Sequence, residues 1–167
     1  LFELSSQEGV KLGDGVKDEE RKISSKFIFD KHLNFINLNG KEEKNGTSYI
    51  NTDEINQVVK FVNALVSSGV EPSQIGIISA YGAQTHLISE HFRAFGPQVK
   101  VSTIDSFQGS QKDYIIICTT RNGTDLGFLK DKRRMNVAIT RARRMVVIFG
   151  NESTLSQSEF WKNVIDY

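Results

Sequence analysis

Two stretches of this sequence gather side chains able to handle anions. The first is Val101–Asp113, VSTIDSFQGSQKD, with the hydroxyls of Ser102 and Thr103, the carboxylate of Asp105, the amides of Gln108 and Gln111, and Gly109. Serine and threonine hydroxyls, together with loop N–H groups, suit the positioning of phosphates without reading bases. A glycine at 109 lets backbone approach a ligand closely. On spacing alone, a polar loop capped by its own hydroxyls is the stronger reading.

The second stretch, Lys130–Arg144, holds seven Lys/Arg and one Asp, a local +6 in a chain of net charge +1. The remainder is therefore −5, and such asymmetry points to a localised site for an anionic partner. Asp131 is placed to cap a helix over 131–144. In that helix Met135, Ala138, Ile139 and Ala142 form an apolar stripe, and Arg134 and Arg141 project from one face two turns apart. Guanidinium forks pair phosphate oxygens bidentately. A solvated basic face is the alternative, and the small residues between the arginines argue against it.

The elements that must position these segments follow from periodicity. NFINLN (34–39) reads as a short strand, followed by a polar loop over 40–47. Ile55, Val58, Val59, Val62, Leu65 and Val66 recur at helical spacing until Gly69. IGIIS (75–79), KVSTI (100–104), YIIICTT (114–120) and MVVIFG (145–150) read as strands. Helices are predicted over 84–95, 131–144 and 152–167. Alternating helices and near-continuous apolar strands predict an α/β fold, a three-layer mainly parallel sheet with helices on both faces. Ligands of such sheets bind beyond the strand C-terminal ends, where 79–84, 102–113 and 119–130 fall.

The 167 residues fit one domain, with 1–31 polar, turn-rich and weakly ordered, and 32–167 forming the folded unit. No apolar run approaches the ~18 residues of a membrane span, and the first residues lack signal-peptide order. The opening on Leu1 without Met reads as a fragment of a longer protein. The one cysteine, Cys118, lies in an apolar run and is expected to be packed core in a reducing compartment, hence intracellular. No metal site is expected.

Together the two segments resemble motifs of Superfamily 1 helicases. TIDSFQGSQKD (103–113) is similar to the family's (S/T)xDxFQGxE(K/R)(D/E) run, and FLKDKRRMNVAITRAR (128–143) to its FLxxxRRxNVA(L/I/V)TRA(R/K) run. NGTSYINTDE (45–54), IGIISAYGAQ (75–84) and GFL (127–129) are further matches, and LGDGVKDEERK (12–22) is a weaker one. The group resembled contains the nonsense-mediated-decay, senataxin and immunoglobulin μ-binding helicases. It implies the second RecA-like motor lobe of a cytoplasmic or nuclear enzyme, binding ATP and Mg²⁺ mainly through a first lobe and holding single-stranded RNA or DNA. By that resemblance Arg141 is the arginine finger, and Gly109 and Gln111 adjoin the nucleotide. Ser102, Thr103, Tyr81 and Gln84 contact nucleic acid, while Asp105, Gln108, Arg134 and Asn136 couple the motifs.

Two features depart from a complete motor. No GxxxxGK(S/T) loop occurs to cradle phosphates, so the chain alone is expected to be inactive. Gln111 stands where the family carries Glu, losing a charge and gaining donors. A helicase-like nucleic-acid or protein-binding module without ATPase activity is therefore the second reading. Asp53-Glu54 mimics a metal-binding DE pair, but Asn51 with Glu54 three residues later reads as a capping box.

Overall fold

The computed structural model describes residues 32–95 and 98–167. The expectation of weak order over 1–31, and the match at 12–22, lie outside them.

Five strands build one parallel sheet: β1 (Leu33–Asn37), β4 (Ile75–Ser79), β5 (Lys100–Thr103), β6 (Lys112–Cys118) and β7 (Ala142–Gly150), in the order β1-β7-β6-β4-β5. β2 (Glu43–Asn45) and β3 (Ser48–Ile50) form a separate antiparallel hairpin. The helices are α1 (Thr52–Ser67), α2 (Gly82–His91), α3 (Lys132–Ile139), α4 (Glu152–Leu155) and α5 (Glu159–Asp166).

Strand alternation divides the core in two. Ile77, Ile116 and Val147 meet Ile55, Val58, Phe61, Val62 and Leu65 of α1 and Ile88 of α2. Ile78, Ile115, Ile117 and Ile148 face Met135 and Ala138 of α3, together with Leu155, Trp161 and Ile165. The chain steps outward from β4 to β5, then back to β6 and β7. Right-handed crossovers require opposite faces for the two directions, which gives the three-layer α/β architecture.

The crossover from β5 to β6 contains no α-helix. Residues 104–111 pass over the β4 face through a short 3-10 turn at Asp105–Phe107. The buried Phe107 ring lies on Gly76, where an added Cβ would stand 2.5 Å from Phe107 Cζ. The segment therefore travels from the C-terminal end of the sheet to its N-terminal end, about 15 Å at the strand rise.

Several boundaries differ from the sequence reading; the helix expected over 84–95, for one, spans Gly82–His91. α3 ends at Ile139, and Ala142–Arg144 join β7 because Lys112 pairs with Ala142 and its N–H donates to the Arg141 carbonyl at 3.1 Å. Arg134 and Arg141 therefore do not share a helix face. The closing helix is broken at 156–158, where the chain turns to bury Trp161, whose Nε1–H donates to the Leu129 carbonyl at 2.8 Å. The polar loop expected over 40–47 holds β2 and the hairpin turn, with β3 following at Ser48–Ile50.

Candidate functional site

At the C-terminal end of the sheet, β5 delivers Ser102 and Thr103, both half-buried. Ser102 Oγ donates to the Thr103 carbonyl at 3.1 Å, and Thr103 Oγ1 donates to Ser106 Oγ at 3.2 Å. Thr103 opens on a cleft of roughly 170 Å³ lined also by Ala80, Ile104, Asp105, Phe128 and Arg134. Arg134 leaves the first turn of α3, whose N–H groups at Arg133 and Arg134 are capped by Asp131 Oδ1. Its guanidinium lies 3.5 Å from Asp105 and 3.4 Å from Asp131, bridging the crossover to α3.

Behind this cleft lies a buried polar hub. Asn51 Oδ1 accepts the Glu54 N–H at 3.0 Å, which is the expected N-cap of α1. The reciprocal arm of the capping box is absent, because Gln84 Oε1 takes the Asn51 N–H at 2.8 Å. Glu54 instead turns inward and accepts the Thr120 N–H on both oxygens at 3.0 Å and Gln84 Nε2–H at 3.3 Å. Burial pushes its carboxyl from 4.5 up to about 8, against the lowering effect of the Thr120 and Gln84 hydrogen bonds. Thr120 has φ of 68°, the left-handed region, and is held there by Glu54 and by Asn51 Nδ2–H donating to its carbonyl at 3.1 Å. Burial, reinforced by Glu54, pushes the neighbouring Cys118 thiol up as well, which makes it an inert core residue.

A second buried assembly surrounds Arg121. Its Nε donates to Glu42, its Nη1 donates to the Tyr81 hydroxyl at 3.0 Å, and its guanidinium lies 4.0 Å from the Tyr49 ring centroid. Burial opposes the charge, but Tyr81 and Glu42 outweigh it and raise the guanidinium's pKa above its usual value. Tyr81 is only 3% exposed and Gln84 fully buried. Both side chains, expected at the nucleic-acid contact, are turned inward, Tyr81 onto Arg121 and Gln84 onto Asn51 and Glu54.

At the N-terminal end of the sheet the crossover emerges through Gln108, Gly109 and Gln111, all exposed, with Gly109 at φ of 77°. Arg141 sits beside them, its carbonyl bonded to Lys112 N–H. Its Nε donates to the Val137 carbonyl at 3.1 Å and its Nη2 to Thr140 Oγ1 at 3.4 Å, and among the described residues it has no carboxylate partner. Arg143 and Arg144, by contrast, reach Asp113 at 3.5 and 3.8 Å. Asn136 is exposed on α3 and makes no side-chain hydrogen bond among the described residues.

A family model described as an AAA domain matches residues 5–153. The chain belongs to this family. A putative regulator of nonsense transcripts 1 from Takifugu rubripes is 36% identical over 99% of this chain and 16% of its own length. The regulator of nonsense transcripts 1 homolog of Arabidopsis thaliana is 42% identical over 77% of this chain and 11% of its own. The ATP-dependent helicase NAM7 of Saccharomyces cerevisiae is 36% identical over 92% of this chain and 17% of its own. The chain is thus a Superfamily 1 helicase lobe of the nonsense-mediated-decay type, spanning less than a fifth of the length of these relatives.

The lobe therefore separates its candidate residues. Thr103, Asp105 and Arg134 gather at one sheet end, and Gly109, Gln111 and Arg141 at the other, joined by the crossover. Sequence reasoning missed Glu42, Tyr49 and Arg121, which no local pattern groups. Their signal was a basic residue in a stretch otherwise polar or apolar, just after a buried strand. Among the described residues, no three His, Cys, Asp or Glu side chains cluster to hold a metal ion, and no helix is long and apolar enough to cross a membrane.

Proposed function

We propose that this chain is the second, C-terminal RecA-like lobe of an ATP-dependent helicase acting on single-stranded RNA or DNA in the cytoplasm or nucleus. Nucleic-acid backbone is held at the Ser102–Thr103 end, and ATP with Mg²⁺ is bound mainly by a first lobe that faces Gly109, Gln111 and Arg141. The observation that carries this reading is the 104–111 crossover: one segment, seated by the buried Phe107 on Gly76, runs between both ends.

Arg141 suits the role of arginine finger. Among the described residues its guanidinium is occupied by one carbonyl and one hydroxyl, both neutral, so a phosphate can displace them without breaking an ion pair. Phosphoryl transfer is catalysed chiefly by stabilising spread negative charge, and such a finger is worth about 10³–10⁵ in rate. Gln108 and Arg134 couple the two ends, Arg134 through Asp105. Asn136 remains a candidate for that coupling only once a first lobe packs on α3.

The test is ATP hydrolysis by the full-length protein with saturating single-stranded RNA or DNA at low salt, and by this chain alone. The full-length protein should turn over, this chain should not, and Arg141→Ala should abolish turnover while sparing ATP binding. Turnover unchanged in that variant would remove the finger assignment. Gln111 favours a second reading, a binding module without ATPase activity. That reading predicts salt-sensitive binding, no turnover by the full-length protein, and a large gain in Gln111→Glu.

A further inference from the structure

Phe128 is one of two large hydrophobic side chains exposed among the described residues, at 55%, the other being Tyr167. Its position is built rather than incidental. Gly127 has φ of 55°, and a Cβ there would lie 2.5 Å from the Tyr81 hydroxyl and 2.7 Å from Arg121 Nη1. Glycine thus lets the 127–130 turn lie directly on the Tyr81–Arg121 pair. That contact brings the Phe128 ring to 5.6 Å from the Tyr81 ring. Tyr81 in turn stands 5.5 Å from Tyr49 at 81°, with Arg121 against both. The exposed ring is therefore backed by three groups that cannot move independently. It forms the wall of the cleft that also holds Thr103, Asp105 and Arg134.

We propose that Phe128 is a stacking platform for one nucleobase of the bound strand, a contact that rests on the nucleic-acid reading of the Ser102–Thr103 end. A single exposed ring amid hydroxyl, carboxylate and guanidinium groups does not offer the contiguous apolar area that marks a protein-docking patch. It does offer what a single-stranded nucleic acid needs, a π-face for a base beside polar groups for the adjoining phosphates. The contact is sequence-tolerant because every base has such a face. Tyr81, expected to touch the strand, acts one layer beneath it as the support of the ring.

The experiment measures affinity of the full-length protein for a short single-stranded oligonucleotide by fluorescence anisotropy. Loss of one stacked base corresponds to a weakening of about 5- to 150-fold, expected for Phe128→Ala and for Phe128→Leu, which keeps bulk without a planar face. Phe128→Trp and Phe128→Tyr should bind as the unmodified protein does. An abasic position walked along the oligonucleotide should weaken the unmodified protein at one place and leave Phe128→Ala indifferent there. Unchanged affinity of Phe128→Ala, or an identical abasic profile for both proteins, overturns the proposal while leaving the Thr103 contact standing. Loss of nucleic-acid-independent ATPase in Phe128→Ala, with affinity unchanged, likewise overturns it, because the ring would then pack on protein. Failure of the unmodified protein to bind any strand would instead overturn the underlying reading.

Discussion

Replacing Glu54 by Gln should remove the part of the lobe's pH-dependent stability that this carboxyl contributes. Glu54 is 1% exposed, and its neighbours are the Thr120 N–H, the Gln84 amide and the Cys118 strand end. Burial lifts its carboxyl from 4.5 to about 8. The unfolded chain releases this proton near pH 4.5, whereas the folded chain keeps it to about pH 8. The folded state therefore binds more protons between those values, and stability falls as pH rises across the window. At about 1.4 kcal/mol per pH unit the ceiling on that loss is roughly 5 kcal/mol. A glutamine keeps an oxygen for Thr120 and Gln84 but cannot ionise. Urea unfolding of both proteins at several pH values from 5 to 9 measures the difference and cancels all other titrating groups. Midpoints should be similar at pH 5, and at pH 9 Glu54→Gln should lead by about 2 M, for an m-value near 2 kcal/mol/M. Parallel profiles across the whole range would refute the reasoning. Glu54 would then be an ionised carboxylate fully satisfied by Thr120 and Gln84 in both limbs.

Other expectations follow from single contacts. Asn51→Ala removes the α1 cap and the bonds to the Gly40 and Thr120 carbonyls, and should cost about 2–4 kcal/mol in denaturant unfolding. Gly76→Ala drives a methyl into the Phe107 ring and should cost about 1–3 kcal/mol in thermal unfolding, with partial recovery on adding Phe107→Leu. Thr103→Val should leave stability within about 0.5 kcal/mol, since among the described residues Thr103 Oγ1 bonds only Ser106 Oγ, while lowering oligonucleotide affinity in a binding titration. Arg141→Lys should fail to restore turnover of the full-length protein, because an ammonium cannot reproduce the planar fork. Near-normal steady-state rates in that variant would assign Arg141 a purely charge-balancing role.

Apolar continuity made the sheet strands legible: Ile75–Ser79 and Tyr114–Cys118 are buried on both faces, and a helix could not use runs so short. The hairpin was not legible, because EKN and SYI are three-residue strands of mixed polarity whose pairing depends on a turn at Asn45–Ser48. The end of α3 was overrun for a related reason. Helical spacing persists through Ala142, but pairing with Lys112 captures that residue for β7, a tertiary choice that local periodicity does not record. In the site, residue types were informative and placement was not. The segment Thr103–Gln111 was recognised, yet the seating of Phe107 on Gly76, which sends its two halves to opposite ends of the sheet, joins residues thirty-one apart. Tyr81 and Gln84 carry polar atoms that suggested surface contacts. Buried partners thirty or more residues away, Asn51, Glu54 and Arg121, drew them inside.

The outermost strand has a cost in time. Among the described residues β1 adds to the sheet through β7 alone, Leu33 against Val146 and Asn37 against Gly150. A ribosome adding about 5–20 residues per second completes that partner on the order of 5–20 s after β1 is made. Throughout that interval Leu33 and Phe35, both buried in the finished lobe, have no sheet to join. Contacts of such long sequence separation also form slowly once both partners exist. Nascent lobes should therefore expose this strand to chaperones, and substitutions that weaken β7 should appear first as poor yield of protein rather than as slow catalysis.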